Sequence, residues 1–269
     1  MPLADYSTYE FPATDGQRAI YYRGAGPGVI ILHELGGLNP ETIEFADRLV
    51  ERGFSVHLPL LFGRAGQSMS GLRMLGDAIR FCISREWRAL AIGETRPIAN
   101  WVRALGREVH RRCGGIGIGA IGMCLTGSFV IPLVLETDFL VAPVTCEPSV
   151  PFGIGNARRC DPGVSAADLD AARDRLHQND VVMLGYRFTD DKLSSHERFE
   201  TYRRRLGDRF EGCEIDSGPG NAHGIKPKAH SVFTFDYRDQ LGQPTREAFD
   251  RVVAYFQQKL LPRTSGFPG

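Results

Sequence analysis

The chain has no long apolar run, no excess of charge and no paired cysteines. Its longest hydrophobic stretches, such as 29–32 and 129–135, fall far short of the roughly 18 residues that a membrane-spanning helix needs. Thirty-two basic side chains balance 32 acidic ones, for a formal net charge of zero. Neither a nucleic acid nor an anionic membrane surface would find an electrostatic footprint here. The partner expected instead is a small molecule. Six cysteines, Cys82, Cys113, Cys124, Cys146, Cys160 and Cys213, stand far apart with no C-x-x-C spacing. That argues against a zinc ribbon and against a disulfide framework, and most of these thiols are expected to be reduced and structural. The N-terminal Met1-Pro2-Leu3-Ala4-Asp5-Tyr6 shows neither the basic n-region nor the apolar h-region of a secretory signal. The expected location is the cytoplasm.

What is present is a regular alternation of strand-like and helix-like segments over 269 residues. Asp15-Gly16 lies between two extended segments and predicts an edge hairpin; 29–33 and 54–61 read as buried strands. Asn39-Pro40 supplies a helix cap with proline at the first helical position, and Gly53 stops that helix. Further helices are predicted from Pro97, Ser165, Ser195 and Pro244, and further strands over 139–146, 181–189 and 210–215. The pattern predicts one α/β domain over 1–269, with a mostly parallel sheet covered by helices on both faces.

Ile121-Gly122-Met123-Cys124-Leu125-Thr126-Gly127-Ser128 places a cysteine between glycines, where the apolar run 115–121 ends and a helix-like run over 125–136 begins. This is the layout of a nucleophile elbow, a turn so tight that the flanking positions must be small. A buried structural cysteine is the alternative reading, since free cysteines are commonly inert core residues. In such a sheet, ligand sites form at the carboxyl ends of strands. Asp190 and Asp191 follow one strand there, and His230 lies in the loop after the last. A thiol needs an imidazole to take its proton and a carboxylate to fix the imidazole tautomer. Either aspartate could instead cap the following helix, and His223 and His196 compete with His230.

His33-Glu34-Leu35-Gly36-Gly37 lacks the second histidine of a zinc protease helix. Its glycines suit an oxyanion loop, in which the Leu35 and Leu125 backbone amides would face a developing negative charge. No metal ligand set is predicted.

Glu34 within Leu32-His33-Glu34-Leu35-Gly36-Gly37-Leu38-Asn39, the Cys124 elbow, Asp191 and Ala229-His230-Ser231-Val232-Phe233 together resemble the dienelactone hydrolase family of the α/β-hydrolase superfamily. The resemblance implies an α/β-hydrolase fold of about eight strands and a triad of Cys124, His230 and Asp191. It also implies hydrolysis of a small carboxylic ester or lactone through an acyl-cysteine, without a cofactor. Asp191 is preferred because Asp191-Lys192-Leu193-Ser194-Ser195-His196 resembles the family's acid loop. The glutamate matching Glu34 contacts the resting thiol in that family and helps to generate the thiolate.

Three departures accompany the match. Thr126 stands where the family's elbow carries glycine, so looser packing of helix on strand is expected. The family grips a substrate carboxylate with arginines, one of them shortly after the histidine, yet no arginine occurs between His230 and Arg238; Arg85 could supply the other contact or serve as a surface residue. The segments 63–96 and 147–179 are longer than usual and are expected to reshape the pocket entrance. Thr126 and the missing arginine also motivate an alternative, a catalytically silent scaffold that binds a small ligand or partner and keeps a redox-sensitive thiol.

Overall fold

Eight strands form one sheet in the order β1 (Ser7–Ala13), β2 (Gly16–Arg23), β5 (Ser55–Pro59), β3 (Gly28–Leu32), β7 (Ile118–Met123), β8 (Leu140–Cys146), β9 (Met183–Phe188) and β10 (Phe210–Ile215). The computed structural model describes residues 3–13, 16–68, 98–136, 139–151 and 155–262. The first two strands form the expected hairpin, and β2 runs antiparallel to β5. All the other pairings are parallel. A parallel sheet needs helical crossovers, which cover both of its faces.

The strand side chains divide accordingly. Ile30, Leu32, Ile118 and Ala120 pack under the helices α2 (Ile98–Cys113), α3 (Val130–Glu136), α5 (Ala166–Gln178) and α6 (His196–Leu206). Their neighbours Val29, Ile31, Ile121 and Met123 face α1 (Pro40–Glu51) and α7 (Pro244–Leu260) on the other side. Such near-continuous burial is why these strands read as apolar runs rather than as alternating ones. No helix among the described residues is long and apolar enough to cross a membrane.

The predicted caps have their structural counterparts. Asn39 Oδ1 accepts the Thr42 N–H at 2.8 Å, Pro40 opens α1, and Gly53 follows its end at φ 89. Ser165 Oγ accepts the Asp168 N–H at the start of α5. Ser195 precedes α6, but its hydroxyl donates to Arg159 O instead of capping.

Elsewhere the structure departs from the sequence reading. The helix expected from Leu125 starts as a 3₁₀ turn, Cys124–Phe129, before becoming α-helical at Val130. Two short strands, β4 (Gly37–Leu38) and β6 (Arg64–Ala65), pair where a loop was expected. The Pro- and Gly-rich stretch after β8 contains a short helix, α4 (Asn156–Cys160). The Arg198 guanidinium of α6 holds that stretch by donating to the carbonyls of Pro148, Pro151, Arg158 and Asp161. Residues 69–96 of the first expected insertion, Arg85 among them, lie outside the described residues.

Candidate active site

The carboxyl ends of β3, β7, β8 and β9 bring together residues that are far apart in sequence. Cys124, directly after β7, has φ 53, in the left-handed region that costs a non-glycine residue about 1–3 kcal/mol. The surroundings impose this conformation. A Cβ on Gly122 would sit 2.5 Å from Thr126 O, and one on Gly127 would sit 2.7 Å from the Pro148 Cα. Neither position has room for a side chain, so the turn is as tight as the glycine spacing implied.

Thr126 does not loosen the elbow, contrary to expectation. Its side chain is fully buried, with Oγ1 placed 2.7 Å from Leu32 O as a donor and accepting the Met123 N–H at 3.1 Å. One hydroxyl therefore ties the Cys124 turn to the end of β3. Thr145 Oγ1 adds a bond to Gly127 O at 2.9 Å from β8.

Asp191 and His230 meet from two loops. His230 Nδ1 donates to Asp191 Oδ2 at 2.7 Å, which fixes the tautomer that leaves Nε2 toward the site. The other Asp191 oxygen, Oδ1, accepts the N–H groups of Leu193 and Ser194. The carboxylate thus shapes its own loop while orienting the imidazole. Asp190 instead pairs with the exposed Lys192 at 4.0 Å. Asp236 Oδ2 holds the histidine loop by accepting the N–H groups of His230 and Ser231.

His230 Nε2 is buried and has no partner in ideal hydrogen-bond geometry among the described residues. The Cys124 sulfur rests 3.3 Å from Ser149 Oγ. Burial alone would disfavour the imidazolium, but the charge of Cys124 and the bond to Asp191 outweigh it, raising the pKa of His230 well above the ordinary histidine value. The sulfur is thus close enough to act on the ring both by its charge and by a hydrogen-bonding contact. His196 and His223 are elsewhere: His196 is exposed beside Glu214, and His223 is exposed beside Arg238.

Glu34 is almost fully buried, and its two carboxyl oxygens accept hydrogen bonds from Ser231 and Thr234. The contact with the resting thiol implied by the family resemblance is replaced here by Ser149. The reason is local: two hydroxyls of the histidine loop satisfy both oxygens of Glu34. Burial pushes its pKa up, and the hydroxyls and His230 pull against that shift. A second buried carboxyl, Glu147 at φ 33, joins it from the end of β8, where burial and the charge of Glu34 raise its pKa strongly.

His33 is a brace. Its Nε2 accepts the Leu61 N–H at 3.0 Å, so Nδ1 carries the proton and donates to Glu34 O at 2.7 Å. Burial lowers its pKa to about 4 and keeps it neutral. Leu35 follows Glu34 at a turn where Gly36 and Gly37 have φ 98 and 92. Leu125 lies in the first turn of the 3₁₀ segment, where N–H groups lack partners within the helix.

Sequence reading missed Ser149, Glu147 and Asp236, as well as Arg187 of β9, which binds the carbonyls of Thr189, Asp191 and Ser194 and pairs with Glu214. An arginine in the middle of a strand with no solvent face was the available signal for Arg187. His196, Glu200 and Glu214 bring three possible metal-ligand atoms within 4.8 Å of one another. Arg203 donates to both carboxylates and so already balances their charge. The five described cysteines are free.

Solved structures of similar fold include a dienelactone hydrolase-like promiscuous phosphotriesterase from metagenomic libraries. It is 17% identical, with 95% of this chain and 98% of that one covered and a TM-score of 0.62. A dienelactone hydrolase from Anabaena variabilis is 13% identical over 96% and 100% of the two chains, with a TM-score of 0.59. A cold-adapted esterase from an Arctic intertidal metagenomic library is 16% identical over 95% and 94%, with a TM-score of 0.57. At these identities the likeness establishes the α/β-hydrolase fold. No curated protein matches the chain in sequence. The family model for dienelactone hydrolases, however, matches residues 18–260, nearly the whole chain, and the protein belongs to the dienelactone hydrolase family, a family of hydrolases.

Proposed function

We propose that this hydrolase cleaves small carboxylic esters or lactones through an acyl-cysteine formed on Cys124. One observation carries the reading: the strained cysteine at the elbow shares a buried site with an imidazole whose Nδ1 is held by Asp191 and whose ring interacts with the Cys124 sulfur. The reaction needs only groups of this chain and one water. His230 accepts the thiol proton, and the thiolate attacks the substrate carbonyl to form a C–S bond. The tetrahedral oxyanion sits between the Leu35 and Leu125 amides. Collapse breaks the C–O bond, and the imidazolium protonates the departing alkoxide or enolate. Water, deprotonated by His230, then releases the acid and restores the thiol.

Asp191 keeps the imidazole in register and stabilises its charged form in both half-reactions. Arg85 retains its proposed role as the contact for a substrate carboxylate, and the cytoplasm remains the proposed location. The silent-scaffold alternative loses one of its two motives, because Thr126 ties the elbow together and does not open it.

A mixture of p-nitrophenyl acetate and small lactones with the protein tests this reading by intact-mass spectrometry under acid quench. Expected is an added acyl mass on Cys124 and its absence in Cys124→Ala, together with loss of turnover. Undiminished hydrolysis by Cys124→Ala would sink the reading.

A further inference from the structure

The mechanism above leaves two buried polar side chains unused, both on the segment that follows β8. Ser149 is fully buried and touches the nucleophile twice: its Oγ lies 3.3 Å from Cys124 Sγ, and its N–H donates to Cys124 O at 3.1 Å. Glu147, two residues earlier, is also fully buried. Its N–H donates to Tyr186 O at 2.8 Å, and its Oε2 accepts the Val232 N–H at 3.4 Å from the histidine loop. Its Oε1 has no partner among the described residues. The segment therefore joins the cysteine turn to the loop that carries His230.

We propose that Ser149 is a catalytic residue whose hydroxyl donates a hydrogen bond to the Cys124 thiolate, and that Glu147 is a positioning residue holding the Ser149 segment against the histidine loop. The proposal rests on Cys124 being the nucleophile.

The direction of the Ser149–Cys124 bond follows from the charges around the sulfur. His230 acts on it from the loop after β10 and Glu147 from the end of β8. Asp191, from the loop after β9, acts on both of these groups, and Glu34, from the loop after β3, acts on Glu147. Behind the segment, the Arg198 guanidinium donates to Pro148 O. His230 favours the imidazolium despite its burial, because Cys124 and Asp191 supply compensating charge. Burial, reinforced by Glu34, keeps Glu147 in its neutral acid form, so it adds no negative charge beside the sulfur.

When His230 takes the Cys124 proton in the first step of the reaction, the sulfur becomes a thiolate. A thiolate has no proton to donate, so the hydroxyl donates to it. When the sulfur attacks, its charge passes to the carbonyl oxygen and this hydrogen bond weakens. Ser149 therefore favours the thiolate more than the transition state. Removing its hydroxyl raises the pH at which the thiol ionises, while the thiolate that does form is the stronger nucleophile.

The test is the pH dependence of Cys124 alkylation by iodoacetamide in the full chain, resolved from the other cysteines by peptide mass spectrometry. In Ser149→Ala the midpoint moves up by about one pH unit, a tenfold loss of thiolate below it, and the limiting rate at high pH stays equal or rises. Ser149→Thr, which keeps a hydroxyl, restores the midpoint. Glu147→Ala removes the acceptor for the Val232 N–H and moves the midpoint the same way, and Glu147→Gln rescues it. A folded Ser149→Ala protein with the parent midpoint overturns the serine role, and an unmoved midpoint in folded Glu147→Ala overturns the positioning role. Ser149→Gly gives the same reading should the alanine variant fail to fold. Alkylation requires no ester turnover, so this proposal and the hydrolase reading fail separately.

Discussion

Asp191 serves two loops at once, binding His230 Nδ1 through one carboxylate oxygen and the Leu193 and Ser194 amides through the other. Its neighbour Asp190 makes neither contact among the described residues; its backbone N–H donates to Ser217 Oγ, and its carboxylate pairs with Lys192. Asp191→Asn keeps acceptor capacity for the loop amides but offers His230 an amide in place of a carboxylate. The imidazole loses both its charge partner and its preferred tautomer. An esterase kcat loss of roughly 10³- to 10⁴-fold is expected, with Asp190→Asn staying near the parent rate. Steady-state kinetics on a p-nitrophenyl ester decides the matter, and equal losses in the two variants would contradict the assignment.

The elbow strut gives a stability prediction. Thr126→Val keeps the shape of the side chain and removes the hydroxyl, leaving the Leu32 carbonyl and the Met123 N–H without this partner. Leaving a buried polar group unpaired costs about 1–3 kcal/mol, so urea unfolding should show a loss of at least that size. Since the same turn carries Cys124, kcat should fall along with stability. A variant as stable as the parent would show that the strut contributes little.

The order of Cys124, Asp191 and His230 along the chain was legible because strand ends in this fold converge whatever the loop lengths between them. Glycines flanking Cys124 were legible for a different reason: a crowded turn selects for the missing side chain. Thr126 was misjudged because its main partner, Leu32 O, lies 94 residues away, and nothing local records such a bond. Glu147 and Ser149 were hidden in a Pro- and Gly-rich stretch that has no periodicity to assign faces. The resting partner of the thiol was equally out of reach. Glu34 and Ser149 are both plausible neighbours by position, and only the hydroxyls of Ser231 and Thr234 show why Glu34 is already occupied.

Away from the site, His57 predicts part of the acid sensitivity. It is buried, with Nε2 3.4 Å from both Ser55 Oγ and Cys113 Sγ, and its ring stacks on Tyr22. Burial first and Arg112 second lower its pKa to about 4. The unfolded chain takes up this proton near pH 6.5 and the folded protein only near 4. The contribution is therefore complete above about pH 6.5 and drains away as the pH falls toward 4, by about 3 kcal/mol in all. His57→Phe lacks this titration. Its stability deficit relative to the parent should narrow between pH 7 and pH 4.5 in urea titrations, and a deficit that stays constant would exclude the mechanism.

Arg198 carries the prediction for the segment beside Cys124. The guanidinium is fully buried, and its described bonds go to backbone carbonyls, those of Pro148, Pro151, Arg158 and Asp161 among them. Burial lowers its pKa, but an arginine stays charged at any physiological pH, so the carbonyl dipoles must offset the desolvation. A lysine ammonium, one compact charge with three donors, cannot span carbonyls spread from 148 to 161 in the chain. Arg198→Lys is thus expected to behave like Arg198→Met, each losing about 3 kcal/mol or more. Because Pro148 lies beside Ser149, the pH midpoint of Cys124 alkylation should also move upward in folded Arg198→Lys. Limited proteolysis supplies the second readout, with new cleavage expected between residues 148 and 163. Restoration of parent stability by lysine would mean that the charge alone, and not the fan of donors, holds the segment in place.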